Sequence, residues 1–335
     1  MSEQRQLLSD SVARLFESRT ELTWGEIEEL GIADVLVAEE HGGSGADWDD
    51  ACAVLQGAGR WQVPLPLGEA MLARKLMAEA SLEVPRSQVS IAPEPAGTLT
   101  RAARGWKFSG VLASVPWGRD VDHVITTVEF DEQPHVVVLA VADASVHKTT
   151  NLADEPRDDL QFANAAAQAA PAGCREAHNL FDYAALARTA QIAGALQSAL
   201  ELSVGYALER KQFGRPIGQF QAVQQQLALF GAETAAATCA SRSAAIAAGT
   251  RDVSFEIAAA KLRANQAIGV ATAIAHQVHG AIGFTREYAL RRATQRLWSW
   301  RSEHGNDRYW SERLGRAVIE RGADSFWAHL TTDVR

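Results

Sequence analysis

The chain has 335 residues, 47% of them hydrophobic and 22% charged, enough for two or three domains with sizeable cores and no disulfide or metal staples. Its 41 acidic residues outnumber 32 basic ones, and the net charge of −9 repels phosphate backbones, so nucleic-acid binding would need a segregated basic face that neither tail supplies. Three cysteines, Cys52, Cys174 and Cys239, stand far apart with no CxxC spacing, which fits idle thiols in a reducing, cytoplasmic compartment. Glu3, Arg5, Asp10 and Arg14 interrupt the N-terminal apolar residues, so a secretory signal is not expected. No apolar run reaches the roughly 18 residues of a membrane span, and no membrane association is expected.

The first stretch, to about Val84, reads as helical. Leu7, Leu8, Val12, Leu15 and Phe16 recur at helical spacing, and a second helix is predicted from Asp47 to Gly59, ahead of the turn Val63-Pro64-Leu65-Pro66. A third is predicted over Leu67 to Ala80, and Glu39-Glu40-His41-Gly42-Gly43-Ser44-Gly45 forms a glycine turn between the first two. From Pro85 the composition shifts to Pro, Gly, Val and Thr, and strands are predicted at Val89–Ile91, Trp106–Leu112, His123–Val128 and Val136–Val141. The alanine-rich stretch Ala163 to Ala172 has too little complexity to assign.

From about Glu176 the chain is helical again. Ile192, Leu196 and Leu200 repeat every four residues, and the run continues through Leu208 until Gly214 and Pro216 stop it. Gln219–Ala248 and Ser254–His279 follow with dense alanine, which lets facing helices approach closely, so an antiparallel bundle is expected. The result is a mainly α chain with a small β domain: an N-terminal helical domain (1–84), a middle β domain (85–174) and a C-terminal four-helix bundle (175–335). The order helices, strands, helices excludes the alternating βαβ of a Rossmann fold.

Common catalytic patterns are missing. There is no GxGxxG between strand and helix and no GxxxxGK[ST]. Gly42-Gly43-Ser44-Gly45-Ala46 misses the serine elbow GxSxG by one residue. His276 and His279 share a helix face, but HExxH is absent and no third metal ligand can be named, so they read as polar helix positions. Arg291, Arg292, Arg296 and Arg301, interleaved with Trp298 and Trp300, read as a solvated helix whose tryptophans pack inward.

The informative stretch is Tyr206-Ala-Leu-Glu-Arg210-Lys-Gln212-Phe213-Gly214-Arg-Pro216-Ile217-Gly-Gln-Phe220-Gln221. Helix termination explains many of its residue types, with cations at the negative C-terminus, a left-handed Gly214 and a blocking Pro216. Termination does not explain why the segment is followed downstream by Gln277-Val-His-Gly280-Ala281-Ile-Gly283-Phe284-Thr-Arg-Glu287-Tyr288. Together the two closely resemble the flavin-binding signatures in the C-terminal bundle of the acyl-CoA dehydrogenase family. The resemblance is strong from about Arg188 to Gly305, moderate from Gly31 to Gly45 and weak across the β region.

The resemblance implies an FAD enzyme that dehydrogenates acyl-CoA thioesters across the α,β bond and passes electrons to electron-transfer flavoprotein. In it Arg210 pairs with the FAD pyrophosphate, as a guanidinium fork suits phosphate oxygens. Gln212, Phe213 and Gln221 match positions that contact the dinucleotide, typically of a neighbouring subunit. Gln277, Gly280 and Ala281 match the Gln-x-x-Gly-Gly turn, with a small alanine in place of the second glycine. Contacts that cross an interface imply a tetramer built as a dimer of dimers.

The base is where the pattern breaks. Counting without a gap from Gly283-Phe284, the catalytic glutamate's position holds His304, with Glu303 adjacent but about 100° away around a helix. The alternative position on the first bundle helix holds Ala184, with Asp182 nearby. The segment that supports the flavin ring is reduced to Ala92-Pro93-Glu94-Pro95-Ala96-Gly97-Thr98-Leu99, and the Trp-x-Thr segment is replaced by Ala113-Ser114-Val115-Pro116-Trp117-Gly118. Two readings stay open. One is a competent dehydrogenase with Glu303 as base, or else His304 or Asp182. The other is a non-catalytic, FAD-supporting subunit of an α2β2 heteromeric dehydrogenase, paired with a longer homologue.

Overall fold

The structure is a computed structural model, and it describes residues 12, 14–17, 22–94, 97–249 and 252–332, the side chains of 326 and 329–332 excepted. Leu7 and Leu8 of the first predicted helix lie outside the described residues, while Val12 and 14–17 are helical. Helices α1 (Trp24–Glu29), α2 (Trp48–Arg60) and α3 (Leu67–Glu79) follow. Helix α2 begins at a capping box in which the Asp47 carboxylate accepts the Asp50 N–H at 2.9 Å, satisfying one of the orphan donors of the first turn.

Seven strands make one sheet: β1 (Val89–Ala92), β2 (Thr98–Arg101), β3 (Trp106–Pro116), β4 (His123–Phe130), β5 (Gln133–Ala140), β6 (Ser145–His147) and β7 (Arg157–Pro171). The order is β1-β4-β5-β7-β3-β2, with β6 also on β7, and every pairing except parallel β1–β4 is antiparallel. The four predicted strands are all present. The alanine-rich stretch is the second half of β7, where small side chains stand opposite large ones: Ala167 faces Trp106, Ala165 faces Phe108 and Ala170 faces Val136. Alanine has no strand preference of its own, so the cross-strand partners decide the conformation.

After a single turn, α4 (Arg175–His178), the bundle is formed by α5 (Leu180–Glu209), α6 (Gln221–Ala248), α7 (Ser254–His279) and α8 (Ala289–Ser302), with α9 (Asp307–Arg321) and α10 (Ala323–Thr332) beyond. The first half of α5 is buried on all sides, since it runs between the N-terminal helices and the bundle. Its crossing with α2 is a backbone contact. A Cβ on Gly59 would lie 2.0 Å from the Gln191 carbonyl oxygen, and one on Gly194 1.9 Å from that of Gln56. By length and composition alone, the helical segment Ser254–Phe284 could span a membrane, but half of its apolar window is buried inside the protein.

Candidate functional site

A cavity of about 390 Å³ opens between the β domain and the C-terminal end of α8. Pro93, Glu94, Ala113, Ser114, Pro116 and Thr149–Asn151 line it from the β side, and Ser299, Ser302, Glu303 and His304 from the bundle, together with Arg157. The three segments that depart from the resembled pattern therefore meet on one cavity, Pro95 and Ala96 lying outside the described residues. An irregularity in the β3–β7 ladder between Leu112 and Val115 shapes one wall: Ser114 takes φ +52° and its N–H donates to Asp159 Oδ1 at 2.8 Å.

The backbone after α8 separates Glu303 from His304. Glu303 is extended (φ −68°, ψ 136°), while His304 and Gly305 are left-handed at φ +52° and +96°. The Trp310 indole N–H donates to the His304 carbonyl at 3.1 Å and holds this turn. A second holder is Lys261, wholly buried, whose ammonium donates to Asn265 Oδ1 (2.7 Å) and to the carbonyls of Trp300 (3.1 Å), Arg301 (3.2 Å) and Gly305 (3.4 Å). Desolvation pushes the Lys261 pKa down to about 7.

The Glu303 carboxylate accepts two hydrogen bonds from Arg157, Nε at 2.9 Å and Nη2 at 3.1 Å. It also pairs with Arg188 Nε at 3.2 Å and accepts from Asn151 Nδ2 at 3.0 Å. Burial works to raise its pKa, but the two guanidiniums prevail and hold it well below the usual carboxylate range. Asp182 is tied on the far side of its helix, both oxygens at 2.5 Å from the Arg313 guanidinium, and it does not line the cavity. His304 does, and it also borders a space of about 10 Å³ beside Glu69, Ala184, Arg188 and Gln191. Burial, and then Arg188, push its imidazole down to about 3, so the ring is neutral near pH 7.

The flavin-signature residues lie elsewhere, at the end of the bundle where α5 and α7 terminate. Tyr206 stacks on His279 with ring centroids 4.6 Å apart, which brings Arg210 and Gly280, each a few residues further on, to the same end of the bundle. Arg210, Gln212, Phe213, Gln221, Gln277, Gly280 and Ala281 are all exposed. Phe213 is 91% exposed at φ +53°, on the two-residue-strand hairpin Lys211–Gln212 with Arg215–Pro216. None of the seven lines the cavity.

Two readings of the sequence need correction. Arg296 is not solvated: it is 6% exposed and its Nε donates to Glu155 at 2.8 Å. His276 and His279 are buried and aromatic in company, His276 stacked between Phe284 and Trp298 at 4.0 and 5.3 Å. Sequence reasoning also missed Glu69, Glu155, Arg157, Arg188 and Lys261. A signal was there for two of them: Arg188 and Lys261 each interrupt an otherwise apolar helical run, and a charge at such a position must find partners inside.

A family model described as acyl-CoA dehydrogenase, C-terminal domain, matches residues 172–319. Acyl-CoA dehydrogenase IpdE2 of Mycolicibacterium smegmatis is 28% identical over 310 residues, which is 87% of this chain and 91% of that protein. The bundle region thus carries the C-terminal domain of acyl-CoA dehydrogenases, and the chain is similar to a protein of that name over 87% of its length. Among solved structures, a chain of a Tcur3481–Tcur3483 steroid ACAD variant superposes with a TM-score of 0.85 at 25% identity, covering 95% of this chain and 98% of that one. A chain of the ChsE4–ChsE5 complex from Mycobacterium tuberculosis gives 0.88 at 22% identity, covering 96% and 99%. The acyl-CoA dehydrogenase fold, helices around a small mixed sheet, is thus that of 95% of the chain.

FAD is the cofactor this family implies, and the bundle-end residues fit its phosphate-bearing half. Arg210 is exposed and pairs with no carboxylate among the described residues, leaving its guanidinium available to an anion. Gly280 has φ +64° and open space where a Cβ would stand, so a ligand can reach the backbone there.

Proposed function

We propose that this chain is the cofactor-supporting subunit of a heteromeric FAD-dependent acyl-CoA dehydrogenase, and that the base for α-proton removal comes from a longer partner subunit. The observation that carries this reading is Glu303 held between Arg157 and Arg188. A base must accept a proton near the operating pH, and a carboxylate stabilised by two guanidiniums resists protonation. The other candidates fare no better: Asp182 is tied to Arg313, and the His304 imidazole is a weak acceptor with a pKa of about 3.

What the chain offers is a binding surface. FAD, when bound, supplies the acceptor for the hydride that leaves the β-carbon. Arg210 holds a pyrophosphate through its forked donors, Gln212, Gln221 and Gln277 provide amide hydrogen bonds, and Phe213 covers a flat ring. Gly280 and Ala281 keep that surface open to close approach. Exposed apolar side chains at the same end, Leu208 (65%), Phe213 (91%) and Phe284 (60%), suit burial against a partner subunit. The 25% identity to a chain of the two-protein Tcur3481–Tcur3483 steroid ACAD supports pairing with a second subunit; the assembly proposed is α2β2, with electron-transfer flavoprotein as its electron acceptor.

Flavin content and mass of the isolated chain test this. The chain alone is expected to be colourless, and to yield a yellow complex that bleaches with acyl-CoA when co-expressed with a longer homologue. Arg210→Ala should cut the flavin content of that complex several-fold. An isolated chain that holds one FAD and bleaches with acyl-CoA would overturn the proposal.

A further inference from the structure

We propose that Glu303 is the central link of a charge-neutral ion-pair lock that fastens the β domain to both helical domains, an inference that rests on reading this chain as lacking its own base. Six groups, five of them buried and Glu303 partly so, alternate in sign: Glu69, Arg188, Glu303, Arg157, Glu155 and Arg296. Arg188 Nη2 donates to Glu69 at 2.5 Å and its Nε faces Glu303 at 3.2 Å. Glu303 accepts from Arg157, whose Nη2 also donates to Glu155 at 3.0 Å, and Glu155 accepts in turn from Arg296 at 2.8 Å. Five of the six are 4–6% exposed, and the Glu303 side chain is 16% exposed.

The path crosses all three parts of the fold. Glu69 is on α3, Arg188 on α5, Glu303 at the end of α8, and Arg157 and Glu155 at the start of β7; Arg296 returns to α8. The circuit closes on the N-terminal domain, because Arg296 Nη1 donates to the carbonyl of Gln62. Neutral groups brace it. Trp300 lies under the guanidiniums of Arg188 and Arg296, 5.0 and 6.0 Å from its ring, and donates its indole N–H to Glu155 at 3.0 Å. Asn151 Nδ2 bridges Glu155 (2.9 Å) and Glu303 (3.0 Å).

Three carboxylates against three guanidiniums leave no net charge, and this arithmetic makes the lock testable. Removing Glu303 alone strands an excess cation in a buried site, which is costly because its desolvation is no longer offset. Removing Glu303 together with Arg157 leaves two complete pairs, Glu69–Arg188 and Glu155–Arg296, so the double change should be far milder than either single one.

The experiment compares Glu303→Gln, Arg157→Gln and the double variant Glu303→Met/Arg157→Met by thermal unfolding and by hydrogen exchange at residues 149–158 and 302–305. Each single change is expected to lower Tm by about 5–10 °C and to speed exchange at both segments more than tenfold, with the double variant recovering most of the loss. If a single variant fails to fold, a folded double variant still supports the lock. Singles that melt at the wild-type temperature, or a double variant that loses the sum of the two, overturn it. Turnover by the isolated chain that Glu303→Gln abolishes without lowering Tm would overturn both the lock and the base-less reading, whereas unchanged Tm in an inactive isolated chain removes the lock alone.

Discussion

Glu303 and His304 adjoin in sequence yet face different surroundings, because α8 ends at Ser302 and the next three residues leave helical geometry. The 100° helical offset that separates neighbours on a helix therefore does not apply, and both side chains reach the cavity. Which of them carries which role rests on Arg157 and Arg188, which lie over a hundred residues upstream and have no signature marking them as partners. Lys261 offers a test at this scale. Its folded pKa of about 7 lies below the ordinary lysine value near 10.4, so between those values the unfolded chain holds a proton that the folded chain has released. Unfolding then takes up a proton, and stability should rise as pH increases from about 7 towards 10. Urea midpoints measured at pH 6 to 9.5 should show that rise in the native protein and a flatter profile in Lys261→Met.

At the scale of elements, the long helices and the stronger strands were legible because their apolar periods were strong enough to survive any context. The alanine-rich half of β7 was not, since its conformation comes from Trp106, Phe108 and Val136 on neighbouring strands. The α2–α5 crossing was also hidden: nothing in Gly59 or Gly194 distinguishes them from the freely placed Gly205. The structure separates them sharply. Gly59→Ala and Gly194→Ala push a methyl group into backbone, and each should destabilise by about 3 kcal/mol or more, the upper range for overpacking. Gly205→Ala in the same α5 meets nothing within 4 Å and should stabilise the isolated chain by up to about 1 kcal/mol through helix propensity. Denaturant midpoints of the three variants measure the contrast.

For the whole molecule, the buried carboxylates make acid the weak side. Glu303 and Glu155 are both held below the ordinary glutamate range, by Arg157 first in each case once burial has been overcome. Their contribution is present above the unfolded value near 4.3 and is lost as pH falls through the lower folded values. Stability should therefore drop steeply below about pH 4, and the slope should lessen in the double variant that removes Glu303 with Arg157, as followed by circular dichroism. The sequence by itself determined the helical, β, helical order and the family resemblance, and it located the Arg210 and Gln277 signatures, because short-range periodicity and contiguous motifs are local properties. It also marked residues 92–99, 113–118 and 303–304 as departures. Only the tertiary structure showed that these departures share one cavity and that Glu303 is bound to two arginines. The charge state of a buried carboxylate depends on what packs within a few ångströms, and those neighbours come from every part of the chain.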